Sequence, residues 1–391
     1  MIVQREITGV LKRFSRDYPV VTITGPRQSG KTTLARTAFP DVPYFSFEDP
    51  DVRVLAESDP RSFLEKAGNR AILDEIQRIP KLISYLQGIV DSPRTGTFPK
   101  FILTGSCQFE LMGTVTQSLA GRTALIRLLP FSINETRHFK KNYTMDDYLL
   151  TGFYPRIYDQ KLEPYSAYKF YFETYIQRDL RQLIAIKDLR LFQKFVRLCA
   201  GRVGCLFSAS ALSNEVGVSV PTINSWISVL EASYIIFFLE PWYANIGKRL
   251  IKSPKLYFHD VGLAAYLLGI ENGKQLERDP ARGGLFENMV VSELMKTRCN
   301  IGKDQNLYFY RDSNGNEVDV LFQHGNRFVP VEIKSAATYI SEFLKGLRYL
   351  KKNIADLIDE GFIVYSGDTE QAIGDVQLIN WKNARRVVEV E

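Results

Sequence analysis

Histidine and cysteine are scarce in this chain. Its 391 residues include three histidines and four cysteines. Cys107, Cys199, Cys205 and Cys299 are scattered, and no two form a CxxC pair. Without paired thiols or clustered imidazoles there is no zinc-ligand set. Nothing resembles a disulfide framework either, so reduced, buried thiols in a cytoplasmic protein are expected. Long apolar runs are missing. No uncharged stretch is long enough to span a bilayer, which argues against a membrane partner. The opening residues, Met1-Ile2-Val3-Gln4-Arg5-Glu6, lack the apolar centre of a secretory leader. Low-complexity tracts are absent as well. What remains is a globular composition, 45% hydrophobic, at a length that suggests about two to four domains. A net charge of +6 permits nucleic-acid binding without arguing for it.

Against that plain background one stretch stands out. Gly25-Pro26-Arg27-Gln28-Ser29-Gly30-Lys31-Thr32 matches the phosphate-binding pattern G-x-x-x-x-G-K-[ST] in full. The β-branched run Val20-Val21-Thr22-Ile23-Thr24 precedes it, and the helix-prone Thr33-Leu34-Ala35-Arg36 follows. Strand, glycine loop and helix are the context the motif requires. Gly25 to Thr33 would cradle ATP with backbone N–H groups and the helix dipole. Lys31 would bridge the outer phosphates, and Thr32 would hold Mg²⁺.

Such a loop needs an acidic partner. Ala71-Ile72-Leu73-Asp74-Glu75 is a short apolar strand ending in two carboxylates. Asp74 would hold the metal through water, and Glu75 would orient or deprotonate the attacking water. Phe101-Ile102-Leu103-Thr104-Gly105-Ser106 reads as another strand. A polar residue at its tip would sense the γ-phosphate, and both Thr104 and Ser106 qualify. Arg122, in Ser118-Leu119-Ala120-Gly121-Arg122, falls where a neighbouring subunit's nucleotide is often completed, so it is the candidate arginine finger.

Together these segments resemble one family. Gly25-Pro26-Arg27-Gln28, Asp74-Glu75-Ile76-Gln77, Leu103-Thr104-Gly105-Ser106, Leu119-Ala120-Gly121-Arg122, Pro130-Phe131-Ser132 and Glu135 carry the likeness. So do Gly152-Phe153-Tyr154-Pro155 and Tyr175-Ile176-Gln177-Arg178-Asp179-Leu180. The family is that of prokaryotic AAA-type ATP-binding proteins with an uncharacterised C-terminal domain. Cys107 stands where a second serine is common, and Thr151 where a glycine is usual. The resemblance covers nearly the whole chain and implies an AAA-type ATPase using ATP and Mg²⁺.

From about 136 to 189 the pattern turns helical and charged, as a lid over the nucleotide would. Arg156 and Arg178 are candidates to reach the phosphates, against the plainer reading of solvated helix arginines. Residues 208–230 read as a helix-turn-helix. Ser208 and Ser219 are the N-caps, Gly217 makes the turn, and Pro221 lies in the second helix's first turn. Val220, Ile223, Ile227 and Leu230 form its apolar stripe, leaving Thr222, Asn224 and Ser225 exposed. Two strand-like runs, 234–239 and 255–258, flank a basic segment holding Lys248, Arg249 and Lys252. That is the outline of a winged helix whose wing contacts the DNA backbone, or of one that only packs domains together.

Arg282-Gly283-Gly284 reads as a break opening a last unit. Glu287 lies on the helix after it. Three strands follow, carrying Asp319 and Glu332-Ile333-Lys334. This spacing resembles the PD-(D/E)XK nuclease superfamily. The resemblance implies that Asp319 and Glu332 hold a metal, that Glu287 is the additional acid, and that Lys334 stabilises charge or positions water. Glu332 and Lys334 alternate along one strand and share a face.

The expected architecture is α/β: a P-loop AAA-type core over 1–135, a helical lid over 136–195, a winged helix over 196–278 and a restriction-endonuclease-like domain over 279–391. The expected function is an ATP-driven, homo-oligomeric machine that engages branched or duplex DNA. The alternatives are a nucleotide-switched assembly protein and a defence effector whose nuclease is gated by ATP.

Overall fold

The computed structural model describes residues 3–91, 100–105, 118–139, 142–179, 188–242 and 253–389. The chain divides into two compact units. The first comprises Met1–Phe131 with Ala232–Tyr234 and Cys299–Lys303. The second comprises Ser132–Glu231, Ile235–Arg298 and Asp304–Glu391.

In the first unit five strands form one sheet in the order β2-β3-β4-β1-β5. They are β1 (Val20–Thr24), β2 (Tyr44–Ser46), β3 (Arg70–Asp74), β4 (Lys100–Gly105) and β5 (Thr123–Arg127). Every pairing is parallel. A parallel sheet is covered on both faces, so its strands read as continuous apolar runs. β1 is buried at all five positions. Alternate residues feed two separate cores. Ala71 and Leu73 join a cluster with Phe101 and Leu103. Ile72 joins the other with Val21, Ile23 and Ile126. The helices are α1 (Thr8–Asp17), α2 (Lys31–Ala38), α3 (Pro50–Ser58), α4 (Pro60–Ala67) and α5 (Pro80–Asp91). Two of them start on an Asp-Pro pair. Asp49 accepts from Asp51 N and Asp59 from Ser62 N, each at 3.0 Å. The proline takes a first-turn position whose N–H would be unpaired anyway.

The second unit begins with short helices: α6 (Ile133–Thr136), α7 (Met145–Thr151), α8 (Pro155–Asp159) and α9 (Pro164–Tyr171), the last continuing into a π-helical turn, Phe172–Asp179. Gly152 links α7 to α8 with φ +60°. A Cβ there would lie 2.0 Å from Tyr168 Oη and 2.3 Å from Asp260 Oδ1. Buried Asp260 in turn accepts from Phe153 N and Tyr168 Oη, both at 2.6 Å.

Helices α10 (Leu189–Ala200), α11 (Ala209–Val216) and α12 (Val220–Ala232) follow. Ser208 caps α11, Gly217 ends it at φ +89°, and Ser219 Oγ accepts from Thr222 N at 3.3 Å. Ile223, Ile227 and Leu230 are buried as the stripe predicts, but Val220 is exposed, because it sits in the first turn. Trp226, which the stripe omits, is buried, its ring centroid 5.3 Å from those of Phe192 and Phe195.

An eight-stranded mixed sheet completes the unit, in the order β12-β13-β11-β10-β9-β8-β6-β7. Its strands are β6 (Ile236–Pro241), β7 (Lys255–Phe258), β8 (Leu307–Arg311), β9 (Glu317–His324), β10 (Arg327–Lys334), β11 (Gly361–Tyr365), β12 (Gln371–Ile373) and β13 (Val376–Asn380). β6 and β7 pair antiparallel, and β6 also pairs in parallel with β8. The strands after the helix-turn-helix thus share a sheet with those of the C-terminal segment. Helices α13 (Val261–Leu267), α14 (Gly273–Arg278), α15 (Arg282–Asn300) and α16 (Lys345–Ile354) fall between these strands in the sequence. Arg282-Gly283-Gly284 is not a break. It is the first turn of α15.

Candidate functional site

The first site grows out of β1. Gly25 leaves the strand at φ +147°, and a Cβ there would lie 2.1 Å from Leu128 O. Only glycine fits. Gln28 and Gly30 also take positive φ, at 66° and 91°. The loop ends on Gly30, so α2 begins with no side-chain cap and its first N–H groups face the loop. Ser29 Oγ is buried with no hydrogen-bond partner, the mark of a cradle shaped for a ligand. Lys31 Nζ donates to Gly25 O at 3.0 Å and Pro26 O at 2.8 Å. Burial pulls its ammonium down to about 8, against Glu75 and Asp74, which favour the charged form.

Strand order supplies the rest. β4 lies between β1 and β3, with Ile23 in register with Thr104 and Leu73 with Leu103. The tip of β4 therefore sits beside the carboxylate ending β3. Thr104 Oγ1 donates to Asp74 Oδ1 and accepts from Glu75 N at 3.2 Å. Thr32 Oγ1 lies 3.0 Å from both Asp74 oxygens, and Tyr44 Oη donates to Oδ2 at 2.8 Å. Burial, then that bond to Asp74, pushes the Tyr44 phenol up to about 12. Glu75 is held at φ +57°, a backbone state that a non-glycine residue adopts at a cost of about 1–3 kcal/mol. Its carboxylate accepts from Gln77 Nε2. A hydroxyl and a carboxylate in contact are hard oxygen donors, the set that suits Mg²⁺. Ser106 lies outside the described residues.

Two contributors carry no motif. Arg5 is buried and donates to Ser29 O at 2.8 Å and Leu129 O at 2.7 Å, bracing the loop from below. Tyr44 is the second. Nothing in the sequence near Arg5 marks it, since its partners are carbonyls far along the chain.

Arg122 stands elsewhere. It precedes β5, whereas the phosphate loop follows the neighbouring, parallel β1, so the two lie at opposite ends of the strands, roughly 20 Å apart along the strand direction. Asp91 holds it in a bidentate pair at 2.5 and 2.9 Å. Arg156 Nε donates to Gln160 Oε1 at 3.2 Å. The Arg178 side chain and the segment with Lys248, Arg249 and Lys252 lie outside what is described.

The second cluster lies in the mixed sheet. Asp319 on β9 and Glu332 on β10 are buried. Lys334 Nζ donates to Glu332 Oε2 at 2.6 Å and to Asp319 Oδ2 at 3.2 Å. Ile333 N donates to the same Asp319 oxygen at 2.7 Å. Burial and then Asp319 push Glu332 up to about 8. Burial alone would raise Asp319, but Lys334 and Lys255 more than offset it and hold it below the usual carboxylate range. Glu287 on α15 faces Lys255 Nζ at 3.2 Å and accepts from Tyr257 Oη at 2.5 Å. Glu332, Asp319 and Lys334 are thus brought together, and Glu287 takes a lysine from β7. Among the described residues, no three His, Cys, Asp or Glu side chains are grouped to share a metal ion.

The family described as "AAA domain" matches residues 17–137. Two described as domains of unknown function, DUF8612 and DUF4143, match residues 142–274 and 282–384. Uncharacterized protein Rv2008c of Mycobacterium tuberculosis is 31% identical over 340 residues, 86% of this chain and 75% of that protein. The same values hold for uncharacterized protein Mb2031c of Mycobacterium bovis. The chain belongs to their family. The first unit is an AAA-type P-loop domain with an α/β fold built on a parallel sheet. Among solved structures, the Walker-type ATPase paby2304 of Pyrococcus abyssi is 16% identical, with a TM-score of 0.47 over 68% of this chain and 96% of that one.

Proposed function

We propose that the first unit binds ATP with Mg²⁺ and hydrolyses it. The observation that carries this is the contact of Thr32, Asp74 and Thr104 at the mouth of a loop that only glycine can form. Lys31 leaves its loop carbonyls for the outer phosphates. Thr32, with Asp74 through water, would hold Mg²⁺, which would supply charge neutralisation at those phosphates. Thr104 fixes the Glu75 backbone, so the carboxylate is aimed where water attacks. Glu75 takes the water's proton as the water oxygen bonds to the γ-phosphorus and the bridging P–O bond breaks. Lys31→Ala removes the phosphate-facing charge and should abolish turnover and weaken ATP binding. Glu75→Gln should keep ATP and stop turnover. Normal turnover in Glu75→Gln would remove Glu75 from this role.

The work driven by ATP is proposed to be done on DNA by a homo-oligomer. Support comes from the helix pair α11–α12, which presents Asn224 and Ser225 on an exposed face; the net charge of +6 permits such a partner. DNA binding by this route is electrostatic and falls steeply with salt. Neutralising Lys248, Arg249 and Lys252 together should flatten that salt slope. Binding that ignores salt would set DNA aside. The rival reading, a nucleotide-switched assembly protein, is favoured over an ATP-gated nuclease by one feature. The acids of the second cluster are already paired with lysines.

A further inference from the structure

The C-terminal acidic cluster holds a buried lysine that its motif does not contain. Lys255 opens β7, in a segment apart from the E-x-K strand, and is 2% exposed. Its Nζ lies 2.5 Å from Glu317 Oε1 and 3.2 Å from Glu287 Oε1, and 5.5 Å from the centroid of the Phe309 ring. Tyr257, two residues on and on the same face of β7, donates to the Glu287 oxygen that Lys255 holds. Arg311 takes the other Glu317 oxygen at 2.9 Å. Lys334 bridges Asp319 and Glu332 in the same way. Each of these four carboxylates therefore faces a fixed side-chain cation. A hard divalent ion needs several carboxylate or carbonyl oxygens pointed at one centre. Here one oxygen of each carboxylate faces a lysine ammonium instead. Lys255 is also too deeply buried to swing into water when a metal arrives, and its departure would leave a buried charge unpaired.

We propose that Lys255 is the resident cation of this site. It takes the place of a divalent ion between Glu287 and the acids of β9, so the wild-type protein holds no Mg²⁺ or Mn²⁺ there. The cluster ties β7, α15 and β9 together as a metal site would, without metal-dependent chemistry. The inference does not depend on how the first unit uses nucleotide.

The test uses the full chain without nucleotide, with Mn²⁺ as the probe, read by titration and by thermal unfolding. The wild type should show no Mn²⁺ binding that Glu287→Gln or Asp319→Asn removes. Lys255→Ala should melt lower, bind one more Mn²⁺ per chain than the wild type, and recover part of its melting temperature with millimolar Mn²⁺. The double variant Lys255→Ala/Glu287→Gln should lose that extra ion. Lys255→Met keeps the aliphatic stem and serves if the alanine variant does not fold. Wild-type Mn²⁺ binding that depends on Glu287 or Asp319 would overturn the proposal. So would the absence of extra Mn²⁺ in both folded Lys255 variants.

Discussion

At the scale of single residues, Lys31 is a buried cation waiting for an anion. Its ammonium is pulled down to about 8 by burial, from 10.5. A bound phosphate favours the charged form and raises it again. Nucleotide binding above pH 8 must therefore recruit a proton. The expected outcome is that ATP affinity weakens above pH 8 by up to about tenfold per pH unit, the limit for one linked proton. Calorimetry in two buffers of different ionisation enthalpy should show proton uptake near pH 8.5. Lys31→Met should show none. An affinity that is flat from pH 7 to 10 in the wild type would refute the linkage. Gly25 is a second such point. Its Ala variant drives a Cβ to 2.1 Å from Leu128 O at a φ that alanine avoids. A loss of about 1–3 kcal/mol in denaturant unfolding, with ATP binding lost or much reduced, is expected.

At the scale of elements, the tips of β3 and β4 work as one piece, because Thr104 joins Asp74 to the Glu75 backbone. Thr104→Val keeps the β-branched shape and removes the hydroxyl. Stability should fall by about 1 kcal/mol, the net worth of a hydrogen bond. Turnover should fall at least about tenfold, with ATP affinity little changed, because the lost contact orients Glu75 rather than the phosphates. Unchanged turnover would show that the hydroxyl only closes the strand tip. In the other sheet, β9 and β10 force two acids together, and the repulsion falls on Glu332, raised to about 8 by burial and then by Asp319. Its folded value lies above its unfolded one. Its contribution is therefore fully present below about 4.5 and is lost as pH rises through about 8. Relative to the wild type, Glu332→Gln should gain stability steadily from pH 5 to 8, on the order of 1 kcal/mol per pH unit. Parallel melting curves across that range would contradict the assignment. Asp319 is held on the other side of its usual range, so Asp319→Asn should destabilise near neutral pH instead.

At the scale of the whole molecule, the chain is two units with their own cores. ATP with Mg²⁺ at about 100 times its Kd should stabilise the first unit by about 2.7 kcal/mol, read as a rise in its melting temperature. Arg122 belongs to this scale too. It sits at the end of the strands away from its own loop and is paired with Asp91. A finger role demands that a neighbouring copy's nucleotide meet that end of the strands and that the pair open. Arg122→Ala mixed with Lys31→Ala should then regain part of the lost turnover, and turnover should rise with protein concentration. If mixing restores nothing, Arg122 is a surface ion pair with little energetic weight.

The sequence by itself determined the local pieces of this protein. Gly25 to Thr32, the strand before it and the helix after it, the Asp74-Glu75 terminus and the caps Ser208 and Ser219 were legible because each depends on neighbours a few residues away. Backbone sterics, side-chain alternation and capping act at that range. The tertiary structure alone decided which pieces meet. Strand order brought Thr104 beside Asp74, and the parallel register of β1 and β5 set Arg122 at the far end of the strands. Arg5 reaches Leu129, and Lys255 reaches Glu287 and Glu317, across long intervals of chain. Such pairings follow from which apolar faces pack together, and no pattern around Arg5 or Lys255 encodes them. A buried charge takes whichever opposite charge the fold delivers, because leaving it unpaired costs more than any local preference can return.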